Sequence, residues 1–505
     1  MLSQRSPQVQ RPAFLPDVDE APADLVRGTF SHGGTCSEDA RLALEARYGH
    51  LLQETDEFDR QLVSFQANKT GVLHSWIKYR EGFSASLVER LFARFGFAPG
   101  DTVLDPFAGS CTTLLVAQMS GVNSVGIELL PHCHLAWEAK SRAFDYDLDE
   151  LRRVGRLARE TTPPATCVPF PHLTITRTAF PRQTERDLMA YGRWIEALDA
   201  SEETQTLCRL ILVSILEQVS YTRKDGQYLR WDRRARKVIE RNAKRIARGK
   251  KPVQGIHKGE LPGVKQAFTE ALDKAIRDVA ELQTEPPPKS RHELIAGNTL
   301  YVLPRLEDDR FAGVVTSPPY ANRYDYTRTY ALELAYLGVG EEIFDLRQGQ
   351  LSCTVENKPK LDRLAGFYRS IGQYDRYARI ADVVQGNDAL AEIDAALRAR
   401  NERGEINNAG VLTMIAQYFS ELTFVFAELH RVCRSGAHVA FVNDNVRYAG
   451  EVIPVDLLST DLAEGVGFEP VKVYVLPQRK GNSSQQMGRF GREALRKSIT
   501  VWEKP

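Results

Sequence analysis

Two short strings carry side chains that could do chemistry. Val103-Leu104-Asp105-Pro106-Phe107-Ala108-Gly109-Ser110 reads as a strand that runs into a turn of small residues, and Thr112-Thr113 then opens a helix. Ala108, Gly109 and Ser110 let the backbone turn tightly and come close to a ligand. Glu128, about 20 residues beyond the glycine, ends the next strand, where a carboxylate accepts hydrogen bonds from ribose hydroxyls. This is a setting for a nucleotide-like cofactor. The second string, Thr316-Ser317-Pro318-Pro319-Tyr320, reads as a strand ending in a stiff corner. Such a corner suits a planar exocyclic amine. That nitrogen is conjugated with its ring, so it is a poor nucleophile until hydrogen-bond acceptors draw it toward tetrahedral geometry. The Ser317 hydroxyl and the Pro318 carbonyl are two such acceptors. Pro318 and Pro319 fix φ and hold the loop in place, and Tyr320 offers a face on which a base can stack.

The elements that must position these residues follow a βαβ rhythm, which implies a parallel sheet. Thr102 to Leu104 starts a buried strand after the turn Pro99-Gly100-Asp101. Thr112 to Ser120 is a helix and Val125 to Glu128 a second strand. Glu293 to Ala296, Phe311 to Thr316 and His438 to Val442 continue the sheet, and Val471 to Leu476 with Ser498 to Trp502 close it as a pair. Helices are expected over Ser37 to Phe65, with Ser37 as its cap, within His74 to Phe95, over Leu412 to Val432 and over Leu457 to Gly465. The fold class is therefore α/β, a doubly wound Rossmann-like sheet with large, mainly helical insertions. Residues 1–35, rich in Pro, Gly, Ser and charge, are expected as a disordered arm. Residues 36–135 and 291–505 form the catalytic domain, and 136–290 a helical insertion closed by Pro286-Pro287-Pro288. A second excursion runs from Ala321 to about Ala409.

The first string, with Pro99 to Leu104 upstream and Val125 to Leu129 downstream, resembles the cofactor motif of S-adenosylmethionine-dependent DNA amino-methyltransferases. Cys111 stands where that family usually has glycine, so its φ must be negative or strained. The resemblance implies S-adenosyl-L-methionine held by Asp105, Pro106, Phe107, Ala108, Gly109, Ser110, Thr112 and Glu128. Asn298, in the Gly297-Asn298 pair, falls where the family often has an aspartate beside the adenine ring. The segment Phe83 to Val88 falls where the family packs against the methionine part of the cofactor. Ser317, Pro318, Pro319 and Tyr320 resemble the catalytic loop, and a serine opening it is typical of cytosine-N4 enzymes. The implied activity is site-specific methylation of cytosine N4 in double-stranded DNA whose target base is flipped out, the methyl passing directly from sulfonium to nitrogen. Adenine-N6 methylation uses the same physics. An RNA guanine-N2 methylase and a non-catalytic DNA-binding protein are further alternatives.

The chain of 505 residues has formal net charge zero, so no global field draws it to nucleic acid. Any such attraction must come from local patches: Tyr221 to Lys251 holds 13 Lys or Arg against 3 acidic residues, with Tyr221, Tyr228 and Trp231 interleaved. Either this stretch grips phosphates or it is a solvated basic face. The second excursion, with Arg323, Arg328, Arg363, Arg369, Arg376 and Arg379, is a rival recognition element. Asn322, Asp325 and Tyr326 either line a base pocket or form a surface turn. Seven cysteines without paired spacing point to a reducing compartment. With no apolar leader and no membrane span expected, the place is the cytoplasm, at the nucleoid. No metal is expected, because His132-Cys133-His134 cannot turn three adjacent side chains to one ion. A cognate restriction endonuclease is a possible companion. The sequence leaves oligomeric state open.

Overall fold

In the computed structural model, residues 25–55, 57–58, 62–225, 228–477, 490–491 and 493–505 are described. The strands are β1 (Leu52–Glu54), β2 (Thr102–Asp105), β3 (Asn123–Glu128), β4 (Thr222–Asp225), β5 (Tyr228–Trp231), β6 (His292–Ala296), β7 (Phe311–Thr316), β8 (Cys433–Asp444), β9 (Val446–Tyr448), β10 (Glu451–Ile453), β11 (Glu469–Val475) and β12 (Lys497–Glu503). Eight of them build one sheet in the order β1-β11-β12-β8-β7-β2-β3-β6. Only β12 runs antiparallel to its neighbours. From β2 the chain moves outward to β3 and then β6. It returns to the other side of β2 as β7 and continues to β8. The order thus reverses between β2 and β7, and ligands of open α/β sheets bind at such a switch point, beyond the carboxyl ends of the strands.

Composition explains why these strands lie inside. β7 is Phe-Ala-Gly-Val-Val-Thr, and every one of its residues is buried, as a parallel strand covered on both faces must be. One covering helix is Ala85–Phe95. The Ser84 hydroxyl accepts from the Leu87 amide at 3.2 Å, and Gly96 closes the helix at φ +67. Leu87, Val88, Leu91, Phe92 and Phe95 face the sheet and are buried. Each contributes roughly 1.5–3 kcal/mol of transfer free energy. The helix Gly410–Val432 covers the other side. It is long and apolar enough to cross a membrane by length and hydropathy, but it is mostly buried inside the protein. Its two buried carboxylates are paired within the fold, Glu421 with Lys360 and Glu428 with Arg431 and Arg376.

Three expectations need correction. The helix from Ser37 stops at Tyr48, and Leu52–Glu54 becomes strand β1, paired in parallel with β11. Ser37 does not cap that helix; Glu38 holds the cap position, and the Ser37 hydroxyl donates to Glu392 at 3.1 Å. Of the arm expected over 1–35, residues 25–35 are seated in the fold. Phe30 is buried, its carbonyl accepts from the Val452 amide at 2.8 Å, and Ser31 bridges Glu451. Residues 1–24 lie outside the described residues.

The 136–290 segment is helical at Leu148–Glu160, Arg182–Glu196, Glu202–Ser214, Arg236–Ile246 and Val264–Leu282, with the antiparallel hairpin β4–β5 between them. Its apolar core is continuous with the sheet side: Leu207, Ile211, Phe268 and Leu272 cluster with Leu73, Trp76, Cys111 and Leu114. Helix Pro131–Ser141 packs both on β6 and on helix Glu202–Ser214.

Candidate functional site

The β2 and β7 tips lie side by side, in register at Val103↔Gly313 and Leu104↔Val314. Beyond them opens a cleft walled by the tips of β2, β3, β6 and β7, the place where open α/β sheets hold ligands. All nine residues expected to hold a cofactor line it: Asp105, Pro106, Phe107, Ala108, Gly109, Ser110, Thr112, Glu128 and Asn298. Ser317 and Pro319 line it too, so the two strings meet in one cavity. Pro318 and Tyr320 are not among its lining residues.

Asp105 is spent inside the protein. Its Oδ1 accepts from the Phe107 amide at 3.1 Å and from the Thr316 hydroxyl at 2.7 Å, and its Oδ2 accepts from the Thr113 hydroxyl at 2.8 Å. The carboxylate therefore ties the β2 tip to the β7 residue just before Ser317. Burial pushes its pKa up to about 6, and the Thr316 and Thr113 hydroxyls hold it back from going higher.

Glu128 is similarly committed. Oε1 accepts from the amides of Leu129 at 2.8 Å and Leu130 at 2.7 Å, and Oε2 accepts from the Gly109 amide at 2.7 Å. Three of about four acceptor positions on the carboxylate are filled. One remains, on Oε2, so the carboxylate has room for one ribose hydroxyl rather than two. Burial pushes the Glu128 carboxyl up to about 7, with the three amides opposing and Asp105 adding to the rise.

The glycine turn is tight. Gly109 sits at φ +52, and a Cβ there would lie 2.9 Å from Tyr79 Cε1. Cys111 follows at φ +64, ψ +35, so the side chain in the family's glycine position occupies the left-handed region. That conformation costs a non-glycine residue roughly 1–2 kcal/mol, and the fully buried Cys111 packs against Leu114 and its cluster. Asn298 caps the short helix Thr299–Val302, its Oδ1 accepting from the Leu300 amide at 2.9 Å. Its acceptor is thus used, and its Nδ2 is left as a donor.

On the other flank the Ser317 hydroxyl donates to Tyr320 Oη at 3.1 Å. With its proton directed away, the serine oxygen keeps its lone pairs for an incoming donor. Lys497 Nζ stands 5.3 Å from the centre of the Tyr320 ring. Of the residues after the loop, Tyr326 lines the cleft. Asp325 is structural: its Oδ1 accepts from the Thr327 hydroxyl, and its Oδ2 forms an ion pair with Arg347 at 3.0 Å. Asn322 accepts from the Tyr324 amide at 3.1 Å.

Several lining residues were not foreseen. Tyr79, Glu81 and Gly82 close one wall together with Phe83, the one residue of the expected segment 83–88 that reaches the cavity. Tyr79 stacks on Tyr330, ring centres 5.1 Å apart at 12°. The Tyr324 and Tyr330 hydroxyls both donate to Glu81. A cluster of tyrosines at 324, 326 and 330 was the available signal. Gly349, Gln350 and Leu351 come from the second excursion and close another wall. No pattern in that stretch marks them.

The 221–251 stretch is half hairpin and half helix. Lys224, on β4, is buried; it pairs with Glu333 and lies 4.2 Å from the Tyr330 ring centre. This anchors the hairpin beside the tyrosine wall of the cleft. The side chain of Tyr228 lies outside the described residues. From there the chain enters helix Arg236–Ile246, which forms a groove with Thr174, Arg177 and Thr178. Arg236, Lys237, Arg241, Lys244, Arg245, Arg248 and Lys250 line it with one acidic residue, Glu240. Among the described residues no group of three His, Cys, Asp or Glu is arranged to hold a metal ion. His132 and His134 diverge, the first stacking on Tyr330 and the second bonding to the Glu128 carbonyl.

A sheet of this order, with a glycine turn and an acidic strand end at its switch point, defines a Rossmann-like methyltransferase fold. Residues 60–138 match the family model described as DNA methylase. The chain is 56% identical over 479 residues to the type II methyltransferase M.BsoBI of Geobacillus stearothermophilus, covering 94% of each chain. It is 39% identical over 473 residues to the type II methyltransferase M.AvaI of a Nostoc species, covering 92% of this chain and 93% of that one. A shorter likeness, 35% over 110 residues, spans 22% of this chain and 20% of the type II methyltransferase M.MjaII of Methanocaldococcus jannaschii. The chain belongs to the DNA amino-methyltransferase family, and its setting is that of restriction–modification methylation.

Proposed function

We propose that the chain transfers a methyl group from S-adenosyl-L-methionine to the exocyclic N4 of cytosine in double-stranded DNA. The observation that carries this is the shared cleft: the Gly109 turn and Glu128 on one flank, and Ser317, with its proton turned toward Tyr320, on the other. Glu128 Oε2 would take a ribose hydroxyl. Asn298 Nδ2 would donate to the adenine ring. The bound cofactor supplies an electrophilic methyl. Ser317 and the Pro318 carbonyl would accept from the cytosine amine and raise its nucleophilicity. The base, flipped from the helix, would lie on the Tyr320 ring. The serine at 317 favours cytosine, as in the cytosine-N4 members that the motif resembles. Nucleoside analysis of DNA from cells expressing the chain should show N4-methylcytosine. N6-methyladenine in its place would overturn the choice of base, and unmodified DNA would overturn the activity.

Proton linkage gives a second test. Below about pH 7 the ligand-free Glu128 carboxyl holds a proton, while a ribose hydroxyl donates best to the ionised form. Cofactor affinity should rise from pH 6 to 8, by at most about tenfold per unit below the pKa, and level off above it. Stability of the ligand-free fold runs the other way. A carboxyl with a raised folded pKa contributes fully below its unfolded value, and that contribution is lost as pH rises through about 7. Calorimetric titration with S-adenosylhomocysteine across this range checks the first trend. A flat profile that matches Glu128→Gln would contradict it.

We assign DNA contact to the 136–290 insertion, with 36–135 and 291–505 as the catalytic part. The groove along Arg236–Ile246 supplies phosphate contacts, and the hairpin β4–β5 links it to the cleft. Arg241→Ala with Lys244→Ala should weaken cognate and non-cognate duplexes alike. The salt dependence of log affinity should become shallower by about 2, one unit for each lost phosphate contact. An unchanged salt slope would remove this groove from the DNA interface. DNA as substrate places the work at the nucleoid, in the cytoplasm, and a cognate endonuclease fits the restriction–modification setting.

A further inference from the structure

The cleft contains a side chain whose polar atoms the protein leaves unsatisfied. Gln350 comes from the second excursion rather than from the sheet. It is 7% exposed and lines the cavity, and among the described residues neither its Oε1 nor its Nε2 has a hydrogen-bond partner. An amide group buried without a partner is unfavourable by roughly fivefold to a hundredfold in an equilibrium constant. Such a group is retained where a ligand satisfies it.

Its neighbours fix where it stands. A Cβ on Gly349 would lie 3.0 Å from Leu129 Cδ2, so the backbone there rests against the residue after Glu128. Leu351 is buried in the same cluster as Leu300. The Gln350 carbonyl accepts from Lys360 Nζ, which is itself paired with Glu421. Through the contact of Gly349 with Leu129, Gln350 is held beside the β3 tip that carries Glu128. Ser317 and Pro319 stand at the β7 tip instead. On the cofactor flank the obvious acceptors are already taken, Asn298 Oδ1 by the Leu300 amide and most of Glu128 by Leu129, Leu130 and Gly109. The edge of an adenine ring presents an amine donor beside a ring-nitrogen acceptor. A carboxamide matches that pair with its own oxygen and nitrogen, the bidentate geometry by which Gln pairs with adenine.

We propose that Gln350 reads the 6-amino edge of the cofactor's adenine ring, making the second excursion a specificity element of the cofactor site. The inference rests on the reading of the cleft as an S-adenosylmethionine site. Its test uses the full chain and two ligands, S-adenosylhomocysteine and its analogue lacking the 6-amino group, measured by calorimetry without DNA. Wild type should bind the analogue about tenfold more weakly. Gln350→Met, near in shape and apolar, should bind both ligands alike, at about the affinity of wild type for the analogue. Its ligand-free thermal midpoint should equal or exceed that of wild type, since an unsatisfied amide has been removed. A purely structural role would lower that midpoint and leave the preference for the amino group intact. Equal binding of both ligands by wild type overturns the proposal even if the variant does not fold. So does a variant that keeps full affinity for S-adenosylhomocysteine yet transfers methyl poorly, because Gln350 would then serve the target base. Absence of S-adenosylhomocysteine binding to folded wild type overturns the cofactor reading itself.

Discussion

Ser317→Ala should lower the rate of methyl transfer by about a hundredfold to a thousandfold, the usual loss when one preorganised polar group is removed from a reacting centre. Cofactor affinity should stay at the wild-type value. The split follows from geometry. Ser317 lines the cleft at the β7 tip, while the glycine turn and Glu128 sit on the β2 and β3 tips. Its hydroxyl donates to Tyr320 Oη, so its oxygen accepts from the amine only while that proton is held aside. Tyr320→Phe removes the nearer of the proton's two acceptors, leaving the Val442 carbonyl at 3.5 Å, and keeps the ring. It should cost about tenfold, the worth of one hydrogen bond. Ser317→Ala with Tyr320→Ala should abolish transfer while cofactor binding persists. Single-turnover transfer from labelled S-adenosylmethionine to duplex DNA, paired with calorimetry, separates the two quantities. A double variant as active as wild type would refute the role given to this loop.

The two anchors were legible because each is local. A short apolar run, a tight turn of small residues and a pair of prolines are written within a few consecutive positions. The parallel strands were legible for a related reason: strands covered on both faces need unbroken apolar runs, as in Phe311–Thr316. Edges were not. β1 is three residues long, and only Leu52 among them is buried. Leu52 fits the helical spacing of the segment before it equally well, and only pairing with β11, more than 400 residues away, makes this stretch a strand. The hairpin β4–β5 was hidden by charge. Lys224 reads as one more surface cation, yet it is buried because Glu333 and the Tyr330 ring receive it.

Side-chain roles were the least legible, because a residue's type says what it can accept and not what already occupies it. Asp105 and Glu128 were both expected to face a cofactor, and both line the cleft. The structure shows Asp105 consumed by Thr113, Thr316 and Phe107, and Glu128 with three backbone amides on it. Asp105 thereby joins the strand that carries the cofactor turn to the strand that carries the catalytic loop, a mechanical role that no motif displays. Gln350 is the converse case. Nothing around it in sequence is distinctive, and its meaning arises only from what fails to bond to it.

Gly109→Ala should reduce cofactor affinity by about a hundredfold or more while the fold persists. Three effects act together. At φ +52 an alanine carries a strain of roughly 1–2 kcal/mol. Its Cβ would stand 2.9 Å from Cε1 and 3.3 Å from Cζ of Tyr79, closer than packed carbons tolerate. Tyr79 cannot retreat, because its ring stacks on Tyr330. Tyr330 is fixed in turn by its hydroxyl on Glu81, by the Arg80 amide at 3.1 Å and by Lys224 over its ring. The turn must therefore move instead, and moving it pulls the Gly109 amide off Glu128 Oε2, the oxygen proposed to take the ribose. If sterics dominate, shortening the obstacle recovers part of the loss. Tyr79→Leu combined with Gly109→Ala should bind about tenfold more tightly than Gly109→Ala alone, a recovery of about 1.4 kcal/mol from which the effect of Tyr79→Leu alone is subtracted to give the coupling. If backbone strain dominates, the second substitution brings no recovery. Wild-type affinity in Gly109→Ala would mean that the ligand does not approach this turn.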